Sequence, residues 1–197
     1  MGARDLTALI GSRICHDLIS PIGAISNGVE LLSLTGHPAG PELEMIADSV
    51  GHANARVRFF RLAFGAAPDG ARIGRAEVEG ILADVSKSGR VKMRWTSPAE
   101  VPRTEAKLAL LLALSAETAM TRGGTIEIAC DGSDWTLLAE GARLRDLPHL
   151  WPLIRDPAAD AEIDAAEVHF LLAGEAAAHA RRPVTVERDA AQIRLRF

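Results

Sequence analysis

A short stretch near the N-terminus, HDLISPI at residues 16–22, brings several reactive side-chain types together. An imidazole has an ordinary pKa of about 6.5, so near pH 7 one ring nitrogen keeps a lone pair that can attack an electrophile. In His16 the expected nucleophile is Nε2, which lies farther from the backbone than Nδ1. Such a ring could therefore carry a group in a transfer reaction. An isolated exposed histidine commonly has no such role.

The neighbouring acid, Asp17, is the candidate partner of that ring. A carboxylate that accepts the Nδ1 proton fixes the tautomer and stabilises an imidazolium as it forms. Adjacent residues of an α-helix point about 100° apart, so this contact requires a suitable rotamer of Asp17. The alternative is a solvated carboxylate with no part in the chemistry.

An amphipathic helix is predicted over residues 5–34, because apolar residues recur there at helical spacings. These residues are Ile10, Ile14, Leu18, Ile25, Val29 and Leu32. His16 falls roughly 200° from the centre of the first part of the stripe, so its ring is expected to face away from the apolar side. Asp5 is a plausible N-cap for this helix.

A second helix is predicted after a turn at residues 35–41, with Pro41 at its first position. Its apolar stripe comprises Leu43, Ile46, Val50, Ala53, Val57, Phe60 and Phe64. A hairpin of two such helices leaves the stripes partly in water, and pairing two hairpins into a four-helix bundle buries them. We expect a homodimer through residues 5–64. The alternative is that the hairpin packs on the rest of its own chain.

The pattern changes after a linker at residues 65–70. Helices are predicted near residues 75–86, 105–120 and 161–180, with a less regular helical piece at 147–154. Alternating segments and turn signals predict mostly antiparallel strands between and after these helices. The predicted fold class is α+β, with a helical hairpin at residues 1–66 followed by an α/β unit at residues 71–197.

Composition argues against several classes of function. The 197 residues carry a net charge of −4 without clustered Lys and Arg, so no nucleic-acid partner is expected. Two cysteines are too few for a disulfide framework or a structural zinc site, and the other histidines lack metal-ligand spacing. Neither a secretory apolar segment nor a run of the roughly 20 apolar residues that span a bilayer is present. We expect a cytoplasmic protein with no membrane partner.

The sequence at residues 16–22 resembles the phosphoacceptor box of dimerising histidine kinases, where a histidine is followed by an acid, an apolar residue, Ser or Thr, and Pro. Residues 12–32 closely resemble the first helix of the ChpT-type histidine phosphotransferases of alphaproteobacteria. Residues 111–128 are similar to the same family. The resemblance covers most of the chain and is most specific around His16.

That resemblance implies a phosphorelay through His16, with Asp17 orienting or polarising its ring. The phosphoryl group would come from the aspartate of one receiver domain and pass to another. In the family, the donor is the receiver of a hybrid kinase and the acceptor is a response regulator. The receiver is expected to supply Mg²⁺ and a lysine, and no cofactor or metal is expected in this chain.

The resemblance also implies a receiver-docking surface around the histidine. The candidate docking residues are Arg13, Ser20, Pro21 and Asn27. Arg13 would neutralise phosphate charge, and Pro21 would bend the helix because it removes a backbone hydrogen bond. Ordinary surface roles for Arg13, Ser20 and Asn27 remain open.

An ATP-dependent kinase is not favoured. Where the kinase ATP domain carries Asn-Ala in a helix, this chain has Ser115-Ala116, which removes the expected Mg²⁺ ligand. The glycine-rich loops that hold nucleotide phosphates have no counterpart either. We interpret residues 71–197 as a degenerate histidine-kinase-type ATPase α/β sandwich domain, kept for docking or structure. The alternatives are a non-catalytic receiver-binding adaptor and, less favoured, a kinase with an unusual site.

Overall fold

A computed structural model describes residues 6–35 and 41–197 of the chain. In those ranges the helices are α1 (Leu6–Thr35), α2 (Pro41–Ala63), α3 (Arg75–Ser88), α4 (Arg103–Ala119), α5 (Trp151–Arg155) and α6 (Val168–Ala180). A 3₁₀ turn, Ala165–Glu167, directly precedes α6. The strands are β1 (Arg72–Gly74), β2 (Val91–Thr96), β3 (Glu100–Pro102), β4 (Gly124–Asp131), β5 (Asp134–Glu140), β6 (Thr185–Arg188) and β7 (Gln192–Arg196).

The larger sheet has the strand order β2-β4-β5-β7-β6. Its β2 and β4 strands run parallel, and the other neighbours run antiparallel. Strands β1 and β3 form a separate short antiparallel ribbon. Helices followed by a mostly antiparallel mixed sheet confirm the predicted α+β class.

Side-chain alternation explains why the sheet has one buried face. In β2, Val91, Met93 and Trp95 are buried, whereas the residues between them are exposed. Helix α4 is enclosed on all sides, with residues 108–114 at most 1% exposed. A helix that is apolar all round belongs in the middle of a core, and α4 packs against α2, α6 and the sheet.

The helical hairpin joins this core through the N-terminal end of α1 and the C-terminal end of α2. Ile10 and Ile14 of α1 pack against the core, and Phe59 and Phe60 of α2 are buried in it. Full burial of each such phenylalanine contributes roughly 1.5–3 kcal/mol. Packing on the chain's own α/β part, left open by the sequence, therefore occurs at these two ends.

The middle of the hairpin is different, because apolar side chains on both helices stay exposed. They are Ile19, Ile22, Val29, Leu31, Leu43, Val50 and Val57, each 41–68% exposed. Val29, which the sequence places on the apolar stripe of α1, is 51% exposed in the single chain. The two helices approach closely at Gly28, where an added Cβ would lie 2.5 Å from Cγ1 of Ile46.

Several boundaries differ from those that the sequence predicts. The helix predicted from residue 161 begins at Val168, because Asp164 and Glu167 form a capping box that ends the preceding extended segment. The β1–β3 ribbon was missed, since three-residue strands carry almost no periodicity. The predicted N-cap Asp5 and most of the predicted turn lie outside the described residues. None of the described helices combines the length and apolar character needed to cross a bilayer.

Candidate functional site

His16 stands on the outward side of α1, with its side chain 82% exposed. Ser20 and Asn27 are exposed on the same helix. At about 100° per residue, Ser20 lies about 40° and Asn27 about 20° from His16 around the axis, the latter about 16 Å further along it. These side chains form one polar strip, which a partner protein can approach from solvent.

The ring of His16 is oriented by the next residue. Its Nδ1 atom lies 3.2 Å from Oδ1 of Asp17. A carboxylate accepts hydrogen bonds, so this contact places the proton of a neutral ring on Nδ1 and leaves the lone pair on Nε2. The carboxylate itself is only 12% exposed, so the exposed nucleophile rests on a largely buried support.

Arg13 holds the other side of that carboxylate. Its Nη2 atom forms an ion pair with Oδ2 of Asp17 at 3.1 Å, and its Nη1 atom donates a hydrogen bond to the carbonyl oxygen of Ala166 at 2.7 Å. The guanidinium is 15% exposed. Ala166 belongs to the 3₁₀ turn before α6, so Arg13 connects the histidine-bearing helix to the C-terminal part of the chain.

Two titratable groups of the C-terminal part surround this connection. Burial raises the pKa of the Glu117 carboxyl on α4, while Arg56 and Arg13 act in the opposite direction. Burial and then the charge of Arg13 lower the pKa of His169 on α6 to about 3. Near neutral pH, His169 is therefore an uncharged neighbour of the guanidinium.

The hydrogen bonds of His169 indicate which ring nitrogen carries the proton when the ring is neutral. Thr118 donates its hydroxyl proton to the carbonyl oxygen of Leu114 at 3.0 Å. The contact of 3.0 Å between Thr118 Oγ1 and His169 Nε2 is thus a hydrogen bond donated by the ring. The Nδ1 atom of His169 is buried without a hydrogen-bond partner among the described residues.

The remaining predicted site residues occupy different environments. Ser20 and Asn27 are exposed beside His16, whereas Pro21 is half-buried inside α1. Arg13, predicted to meet a partner's phosphate, contacts Asp17 and Ala166 within the chain. Sequence reasoning missed Ala166, Glu117 and His169. No local signal points to them, since Ala166 lies 153 residues from Arg13 and acts through its backbone.

The chemistry available is that of an exposed, oriented imidazole. With Nδ1 against Asp17, Nε2 is the ring nitrogen that keeps a lone pair, and a carboxylate beside Nδ1 could stabilise a positive charge on the ring. In the described part of the chain, no group of three His, Cys, Asp or Glu side chains is placed to hold a metal ion. Ser115 is fully buried and donates its hydroxyl to the carbonyl oxygen of Leu111 at 3.0 Å.

Comparison with known proteins identifies clear relatives. Residues 75–192 match the family described as the histidine phosphotransferase C-terminal domain. The chain is 35% identical over 186 residues to protein phosphotransferase ChpT of Brucella abortus (strain 2308), which covers 89% of this chain and 88% of that protein.

Solved structures give a consistent result. A bacterial phosphotransferase determined at 1.7 Å superposes with a TM-score of 0.81 and 31% identity, covering 100% of this chain and 97% of that one. The histidine kinase AdeS of Acinetobacter baumannii is far more distant, with a TM-score of 0.44 and 10% identity over 92% of this chain and 96% of that one.

Proposed function

Because the chain belongs to the family of ChpT-like histidine phosphotransferases, we propose that it relays a phosphoryl group between receiver-domain aspartates through His16. The observation that carries this proposal is the ring of His16, exposed at Nε2 and held at Nδ1 by Asp17 at 3.2 Å. The donor is the receiver of a hybrid kinase, and the acceptor is the receiver of a response regulator. Such a relay operates in the cytoplasm.

The transfer step follows from this geometry. The Nε2 lone pair of His16 attacks the phosphorus of the aspartyl phosphate, an N–P bond forms, and the P–O bond to the aspartate breaks. The receiver's aspartate leaves as a carboxylate, and the phosphorylated ring carries a positive charge with its proton still on Nδ1. Asp17 stabilises that charge. The second receiver reverses the step, so the histidine emerges unchanged.

The partner completes the charge balance. A loose phosphoryl-transfer transition state requires alignment and neutralisation of the equatorial oxygens. That neutralisation would come from the Mg²⁺ and the lysine of the receiver, once the two proteins meet. This chain holds the imidazole in position on α1, and Ser20 and Asn27 on the same strip serve as docking contacts.

We further propose that the chain binds no ATP. In the ATP domain of histidine kinases, an asparagine on the corresponding helix holds the magnesium ion of the nucleotide. Here Ser115 takes that place, and its hydroxyl bonds within its own helix. The surrounding residues 108–114 are closed off from solvent by the core.

The exposed apolar residues of the hairpin support a homodimer. Ile22 and Val29 on α1, and Val50 and Val57 on α2, are each separated by seven residues. A spacing of seven returns to within about 20° of the same side of a helix, which is the seam of a helical bundle. The Ile22 side lies about 120° around α1 from His16, so dimerisation leaves the phosphoacceptor free.

A label-transfer experiment tests the function. A hybrid-kinase receiver charged with labelled phosphate, and separately labelled ATP, are incubated with the wild-type protein, with His16→Ala, and with His52→Ala as a second histidine of the same hairpin. Relay predicts label from the receiver only, lost in His16→Ala and retained in His52→Ala. Label from ATP indicates a kinase, and receiver binding without label indicates an adaptor.

A further inference from the structure

Arg13 makes two contacts that lead to different parts of the chain. One arm of its guanidinium meets Oδ2 of Asp17 at 3.1 Å, and the other donates to the carbonyl oxygen of Ala166 at 2.7 Å. The contact with Asp17 is an ion pair without hydrogen-bond geometry, since Oδ2 of Asp17 and Nε of Arg13 have no hydrogen-bond partner among the described residues. A planar guanidinium can approach both oxygens at once, which a lysine ammonium at the same place does less well. The Arg13 side chain is only 15% exposed, whereas a cation that serves docking alone is expected to be well exposed.

Two titratable groups of the C-terminal part interact with the Arg13 guanidinium. Glu117 of α4 provides a carboxyl nearby, and His169 of α6 remains uncharged because burial and Arg13 both disfavour its protonated form. The largely buried guanidinium of Arg13 thus interacts with the Glu117 carboxyl and with a ring that is uncharged near neutral pH. The carboxylate that it holds is thereby fixed relative to the C-terminal part of the chain.

The carboxylate of Asp17 needs such a support. Its Cα–Cβ direction diverges by about 100° from that of His16, so only some rotamers bring Oδ1 to Nδ1. The Arg13 ion pair engages Oδ2 and leaves Oδ1 for the histidine. Among the described residues, Asp17 makes the hydrogen bond to this exposed ring that selects its tautomer.

We propose that Arg13 is a positioning residue for phosphotransfer: anchored on the Ala166 carbonyl, it fixes Asp17 so that His16 carries its proton on Nδ1 and presents Nε2 to the receiver. This inference rests on the proposed function, which it deepens. The 3₁₀ turn Ala165–Glu167 would thus contribute to phosphotransfer, although no nucleotide takes part. Through its hydrogen bond with Arg13, this turn helps to orient Asp17.

The first test needs no partner protein. Nitrogen NMR of the ¹⁵N-labelled histidine rings reports the tautomer of His16 in the full chain, in Arg13→Ala, in Arg13→Lys, and in Arg58→Ala as an exposed arginine of the same hairpin. The expected result is a neutral ring protonated at Nδ1 in the wild type and in Arg58→Ala. Arg13→Ala shifts the ring toward a tautomer mixture, and Arg13→Lys lies between the two.

The second test is single-turnover transfer from a saturating phosphorylated receiver. Arg13→Ala is expected to slow transfer about tenfold, with receiver affinity unchanged. An unchanged tautomer together with a wild-type rate would overturn the inference. If Arg13→Ala fails to fold, Arg13→Lys serves as the test. A wild-type tautomer and transfer rate in Arg13→Lys would show that the planar guanidinium is not needed, and would overturn the inference. If the wild type takes no phosphoryl group from any receiver, the proposed function fails, and the NMR result still judges Arg13.

Discussion

The Nδ1 atom of His16 lies 3.2 Å from Oδ1 of Asp17, although the two residues are adjacent on a helix and their side chains start about 100° apart. The second oxygen of the same carboxylate lies 3.1 Å from Arg13. The carboxylate therefore bends back along α1 between two partners. It supports an exposed ring from a largely buried position.

Replacing Asp17 by Asn keeps the side-chain shape but removes the charge that stabilises the phosphorylated ring. Transfer from a saturating phospho-receiver is expected to slow by roughly 100-fold, since a positioned helper of this kind typically contributes 10²–10⁴. Rapid-quench kinetics measures the rate. Asp48→Asn, an exposed acid on α2, serves as the matched control. Equal rates in Asp17→Asn and the wild type would remove Asp17 from the mechanism.

The buried His169 makes stability depend on pH. Its pKa is about 3 in the folded protein because of burial and Arg13, against 6.5 for an ordinary imidazole. Between these values the unfolded chain binds the extra proton, so the free energy of unfolding decreases as pH falls below about 6.5. The slope from this group approaches about 1.4 kcal/mol per pH unit.

Urea unfolding at several pH values between 7 and 4.5 measures that slope. His169→Gln retains a donor for Thr118 and lacks the titrating ring, so its stability should decrease less steeply with acid. His149→Gln changes an exposed histidine and should follow the wild type. A His169→Gln profile parallel to that of the wild type would show that the buried ring is not the source.

The proposed homodimer would bury apolar residues that are exposed on the hairpin of a single chain. Val50→Asp combined with Val57→Asp places two charges on that seam, whose residues are 41% and 50% exposed. Light scattering after gel filtration should show the wild type at twice the 21.0 kDa chain mass and the double variant at the single mass, with unchanged helicity. Asn54→Asp, also exposed on α2, should remain dimeric. A wild type that runs as a monomer contradicts this assembly.

If the polar strip of His16, Ser20 and Asn27 docks the receiver, a bulky side chain on that strip should weaken receiver binding. Ser20→Trp puts a large ring about 40° from His16, so the apparent KM for the receiver should rise at least about tenfold. The fold and the tautomer of His16 should stay as they are. Ser133→Trp introduces the same ring in the exposed turn between β4 and β5 and should leave KM unchanged. Equal KM values for the two variants would place docking elsewhere.

Local patterns predicted most of the secondary structure, because apolar spacing identifies long helices and alternation identifies strands such as β2 and β4. The outward direction of His16 followed from the same spacing. The Arg13–Ala166 contact could not be predicted, since it joins residues 153 positions apart through a backbone carbonyl. The buried state of His169 depends on how α6 packs against α4, which helical periodicity alone does not define.

The residue that carries the phosphoryl group distinguishes a relay through His16 from every alternative. Tandem mass spectrometry of the protein, taken at alkaline pH after incubation with a phosphorylated receiver, locates the modification directly. We predict one phosphoryl group on the ring of His16, labile in acid as a phosphoramidate is, and discharged when a second, unphosphorylated receiver is added. A phosphoryl group on any other side chain, or one that persists in His16→Ala, would contradict the account.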